Sequence, residues 1–65
     1  MARKVAVTVN GKYVLALYMV RNAGWEVSLG NAVQAETWEP GELSRVVSDI
    51  RKAVGSTARI QVVAR

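Results

Sequence analysis

Alternating hydrophobic and polar positions open the chain and predict a pair of strands. Residues 3–9 place three valines on one side of an extended backbone, a pattern typical of a half-buried strand. Asn10 and Gly11 follow, and this dipeptide is the strongest short signal for a β-hairpin. Residues 12–21 then predict a second strand that is apolar on both faces. Such a strand is expected to lie inside its sheet.

The chain next predicts a third strand and an optional fourth. Residues 22–24 turn the chain, and residues 25–29 alternate again. Gly30 and Asn31 indicate another tight turn, which would lead into a short strand over residues 32–37. The sequence leaves open whether that segment is a strand or a loop.

The helix has the clearest signal, and it precedes a last strand over residues 58–64. Pro40 suits the first helical position, with Glu39 as the N-cap and Trp38 packing against Leu43 as a hydrophobic staple. Gly55 is expected to end the helix in the left-handed conformation. Apolar residues recur at the spacing of one helical face; they are Leu43, Val46, Val47, Ile50, Ala53 and Val54.

Together these elements predict a single α+β domain over residues 1–65, in the order β-β-β-(β)-α-β. A small antiparallel meander of three to four strands carries one amphipathic helix on one face, and the C-terminal strand completes the sheet. A strand that follows a helix crossover is expected to run parallel to the strand before the helix. We therefore expect the last strand beside the first and parallel to it, in the order 4-1-2-3. Pairing with a neighbouring chain is the alternative.

The register of the first hairpin decides which side chains the helix covers. A three-residue loop over 9–11 would pair Thr8 with Lys12, whereas a two-residue turn would pair Val9 with Lys12. The loop over 22–24 has the same shape as the three-residue option, with glycine third, so the two loops agree on one rich apolar face and favour that register. One helix covers one face, so an apolar stripe is left open on the other. In the favoured register that stripe is Val14, Ala16, Tyr18 and Val20. In the two-residue register it would be the larger stripe Tyr13, Leu15, Leu17 and Met19.

The composition excludes the commonest catalytic and metal-binding sites. The 65 residues include no cysteine and no histidine, so we expect neither disulfides, nor the usual zinc ligands, nor a Ser-His or Cys-His nucleophile. Glu36, Glu39 and Glu42 suit the start of the helix, where negative charge is favourable. We expect no enzyme and no cofactor. Small domains without disulfides or metals are often stabilised by self-association.

The leading functional expectation is a small protein-interaction module, acting as a homodimer or on another protein in an accessory or regulatory role. No apolar run approaches the ~20 residues that span a bilayer, so we expect a cytoplasmic protein without a membrane partner. Abundant arginine, valine and alanine, with no phenylalanine, fit a bacterial or phage genome. The candidate partner-binding residues are Val14, Ala16, Tyr18, Val20 and Val63.

The alternative is a nucleic-acid-binding module. Charge is segregated along the chain: residues 1–21 carry +4, residues 22–42 carry −4 and residues 43–65 carry +4, for a net charge of +4. Basic side chains around an exposed aromatic residue on a sheet are one way to hold nucleic acid. The candidate residues for this alternative are Lys4, Lys12, Tyr18, Arg59 and Arg65.

Overall fold

A computed structural model describes residues 4–64 and confirms the small α+β fold. All neighbouring strands in its four-stranded sheet are antiparallel, and the strand order is β3-β2-β1-β4, as predicted. One α-helix packs against the sheet. The elements are β1 (Val5–Val9), β2 (Lys12–Val20), β3 (Gly24–Gly30), α1 (Leu43–Val54) and β4 (Ile60–Ala64).

The optional fourth strand does not form. A 3-10 turn over Ala32–Gln34 follows β3, and the chain then continues without regular pairing. The Glu36 N–H donates to the carbonyl of Val14 at 2.9 Å, and Trp38 forms an isolated bridge with Val5. Residues 36–38 therefore bond to both inner strands, at the point where β2 no longer pairs with β1.

The expected parallel direction of β4 is wrong, because β4 pairs antiparallel to β1. The parallel prediction assumed that the helix alone would carry the chain back along the sheet. Instead, residues 31–39 make that return, since Trp38 bridges to Val5 at the beginning of β1. The helix then runs back towards the Asn10-Gly11 turn, and β4 starts there, with Ile60 opposite Val9.

The favoured register of the first hairpin is also wrong. Val9 pairs with Lys12 and Thr8 with Tyr13, so the turn contains two residues. Asn10 and Gly11 have φ angles of 52° and 87°, as the two central residues of a type I′ turn require. The local Asn-Gly preference therefore prevailed over the resemblance between the two loops.

A β-bulge in β2 restores the apolar face that this register would otherwise break up. The pairing passes from Val14↔Leu29 to Ala16↔Ser28 and then to Leu17↔Val27. One extra residue on β2 reverses the alternation. As a result Val14 and Leu17 both face α1, although regular alternation would put them on opposite sides.

The helix meets the sheet over a compact apolar core, whose buried members are Val7, Val9, Val14, Val46 and Ile50. A second 3-10 turn, Pro40–Glu42, leads into α1, and the Glu39 N–H donates to Glu42 Oε2 at 3.2 Å. Gly55 ends the helix with φ 92° and ψ 168°, a positive φ as expected but an extended ψ rather than the left-handed helical one. Asp49 in α1 is buried, and its Oδ2 lies 3.9 Å from Arg45 Nη1.

Candidate partner-binding face

The sheet has a second face, opposite α1, on which apolar side chains gather. Val7 and Val9 pack under the helix, so alternation along β1 sends Ala6 and Thr8 to the other side. Their partners in the neighbouring strands, Tyr13 and Val63, lie on that side too. The bulge adds four more residues from β2. We call this surface the uncovered face; it comprises Tyr13, Leu15, Ala16, Tyr18, Val20 and Val63.

The exposure of the uncovered face is lowest at its centre and highest at Tyr18. Ala6 and Thr8, at the centre, are buried at 0% and 5% exposure. Five of the six residues around them are half-buried, and Tyr18 is exposed at 45%. The Tyr18 hydroxyl donates to Glu26 Oε2 at 3.2 Å, which fixes its ring beside β3. In the described residues the one α-helix lies on the opposite side, so this ring has no helix over it.

Val14 does not belong to this surface. It was expected on the open stripe, but it is completely buried at 0% exposure beneath α1. The two-residue turn puts it on the same side as Val7 and Val9. Ala16, Tyr18 and Val20 do share the opposite face, because the bulge after Val14 shifts the phase of β2.

The favoured register placed Tyr13 and Leu15 under the helix, which is wrong, whereas the alternative two-residue register placed them on the open stripe. Both lie on the uncovered face, and Leu15 packs over Gly30: a Cβ added at Gly30 would come within 2.6 Å of Leu15 Cδ1. The glycine opposite Tyr13 was therefore a local signal that a bulky neighbour crosses this point of the sheet.

The helix does not reach the end of the β2–β3 hairpin. Met19 pairs with Trp25 on the helix side of the sheet, yet Met19 is 65% exposed and Trp25 is only half-buried. Val62, on the same side of β4, is 48% exposed. Away from the sheet, Val33 in the first 3-10 turn is 89% exposed.

The basic residues proposed for nucleic acid do not form one cluster. Lys4 lies next to the start of β1 and Tyr18 near the end of β2, whereas Lys12 and Arg59 lie at the opposite end of the sheet. Arg65 lies outside the described residues. The sheet surface around Tyr18 is therefore not surrounded by the predicted cations.

A shallow depression of about 450 Å³ lies where the first hairpin meets the start of β4. The Arg59 N–H donates to Asn10 Oδ1 at 2.9 Å, and the Asn10 N–H donates to the Arg59 carbonyl at 2.8 Å. This reciprocal pair joins the turn to the loop after α1. The depression is lined by Asn10, Gly11, Thr57, Arg59 and Gln61.

Within residues 4–64, no group of three or more acidic side chains is placed to hold a metal ion. No helix in the same range has the length and apolar character needed to cross a membrane.

Comparisons with protein-family models, curated proteins and solved structures found no match to this chain.

Proposed function

We propose that this protein is a small, non-enzymatic protein-binding module that forms a homodimer through its uncovered face and has an accessory or regulatory role in the cytoplasm of a bacterium or phage-infected cell. One observation carries the proposal: six apolar or aromatic side chains share the sheet face that α1 leaves open. Large apolar patches on the surface of a soluble protein mark interaction sites.

The size of the chain supports a second copy as the partner. A domain of this length buries only about 60% of the surface that its unfolded chain exposes, so its own core is marginal. A stable complex takes about 800 Å² from each partner, which is less than a fifth of the 4443 Å² surface of this chain. In a two-fold dimer both copies contribute the same surface. One apolar surface on each copy is therefore enough, and the uncovered face is such a surface.

The decisive test is the mass of the protein in solution. At micromolar concentration, sedimentation should give the dimer mass for the wild type and the monomer mass for Tyr18→Glu, because an added carboxylate beside Glu26 would be desolvated in the interface. Val33→Glu is the matched control, since Val33 is more exposed than Tyr18 but lies off the sheet.

Circular dichroism of both variants verifies that the fold survives. A monomeric wild type would contradict the proposal. So would a folded Tyr18→Glu variant that keeps the dimer mass, or an equal loss of mass in Val33→Glu.

A further inference from the structure

The end of the molecule at the Asn10-Gly11 turn is rich in basic side chains. Residues 8–13 and 51–61 meet there, because β4 begins opposite Val9 and α1 ends just before it. These two segments contain no aspartate or glutamate. We call this surface the basic end; its cations are Lys12, Arg51, Lys52 and Arg59.

The depression at the basic end is lined by side chains that can donate hydrogen bonds. Asn10 uses its oxygen to accept from the Arg59 N–H, so its amide nitrogen remains to donate outwards. Within residues 4–64, the side chains of Thr57, Arg59 and Gln61 make no internal hydrogen bond. Three kinds of donor (guanidinium, amide and hydroxyl) therefore border one concave surface.

The four cations have different constraints. Arg51 donates from Nη1 to the Ser56 carbonyl at 3.2 Å, and so it holds the loop after the helix. Lys12, Lys52 and Arg59 are exposed and have no carboxylate within salt-bridge distance in the described part of the chain. Lys12 stands on β2, Lys52 on α1 and Arg59 in the loop before β4, which spreads the positive charge across the end of the molecule.

We propose that the basic end binds the phosphate backbone of nucleic acid, with Arg59 in the depression and Lys12 and Lys52 on either side of it. Cations spread over a surface can each contact a different phosphate along a backbone, whereas one small anion can meet few of them. Each phosphate that is neutralised releases counterions, which favours binding. The aromatic residues Tyr18 and Trp25 lie towards the far end of the sheet, so contact with the backbone, without stacking of bases, is the expected mode. This activity uses a different surface from the proposed dimer and does not depend on it.

Fluorescence anisotropy tests the proposal with a short labelled DNA duplex and its labelled single strand, titrated with protein over a salt series from about 25 to 200 mM. We expect wild-type binding that weakens as salt rises. Arg59→Gln should lower the slope of log K against log salt by about 0.9 on the duplex. Lys12→Gln and Lys52→Gln should act in the same way.

The matched control is Arg21→Gln, which removes one equal charge at the tip of the β2–β3 hairpin, away from the basic end. It should leave the slope within error of wild type. Equal losses in Arg21→Gln and Arg59→Gln would show general attraction by net charge and would overturn the site.

Two other results would also overturn the proposal: binding that does not respond to salt, and competition by inorganic phosphate as effective as competition by the unlabelled duplex. Running the titration with Tyr18→Glu separates the two proposals, because loss of the dimer need not abolish binding at the basic end.

Discussion

At the scale of single residues, Asn10 links two parts of the fold that are far apart in sequence. Its positive φ of 52° forms the turn between β1 and β2, and its side-chain oxygen accepts the Arg59 N–H at 2.9 Å. Asparagine adopts positive φ more readily than most residues, and its carbonyl oxygen supplies the acceptor. One side chain thus defines the first hairpin and positions the start of β4.

We expect Asn10→Ala to lower the free energy of unfolding by about 2 kcal/mol, since it loses both the hydrogen bond and the tolerance of positive φ. Asn10→Gly keeps the backbone freedom and loses only the hydrogen bond, so about 1 kcal/mol is expected. Urea unfolding of both variants measures the two losses. Equal losses would mean that the turn conformation contributes nothing.

At the scale of elements, the periodicity of the sequence predicted which segments form strands and which forms the helix. It did not predict which side chains of β2 face the helix. Leu15, Ala16 and Leu17 are all apolar, so hydrophobicity gives no sign of where the alternation reverses. The bulge becomes visible only through the pairing of Ala16 with Ser28. The direction of β4 was missed for a related reason: residues 31–39 lack periodicity, so nothing in them indicates that they return along the sheet.

Two matched substitutions on β2 test its phase. Val14→Thr puts a hydroxyl group into the core under α1 and should lower the free energy of unfolding by about 1–3 kcal/mol. Val20→Thr makes the same chemical change at a half-buried position of the uncovered face, where less than about 0.5 kcal/mol is expected when both variants are made in the monomeric Tyr18→Glu background. Chemical denaturation compares the two variants directly. A larger loss in Val20→Thr than in Val14→Thr would mean that Val14 lies on the open stripe and not under α1.

At the scale of the whole molecule, the uncovered face carries opposite charges on different strands. Glu26 lies on β3, the outer strand on one side. Lys4 comes just before β1, and alternation along that strand puts it on the side of Ala6. A two-fold axis in the interface, parallel to the strands, would bring β3 of one copy over β1 and β4 of the other. That arrangement brings Glu26 of each copy towards Lys4 of its partner.

Charge reversal tests this geometry. Glu26→Lys and Lys4→Glu should each weaken the dimer, because each creates like charges across the interface. The double variant should recover the dimer, since it restores opposite charges in exchanged positions. Sedimentation equilibrium measures the three dissociation constants. If the loss in dimerisation free energy of the double variant equals the sum of the losses of the two single variants, this orientation of the two copies is excluded.

The pairing of Val5 with Ala64 brings the two ends of the described chain side by side. Directly opposed residues in an antiparallel ladder have Cα atoms only about 5 Å apart. The whole unit could therefore be spliced into a surface loop of a host protein without forcing that loop apart. For the same reason, a few glycines could join the two ends, and new termini could be cut at the tip of the long hairpin to give a circular permutant.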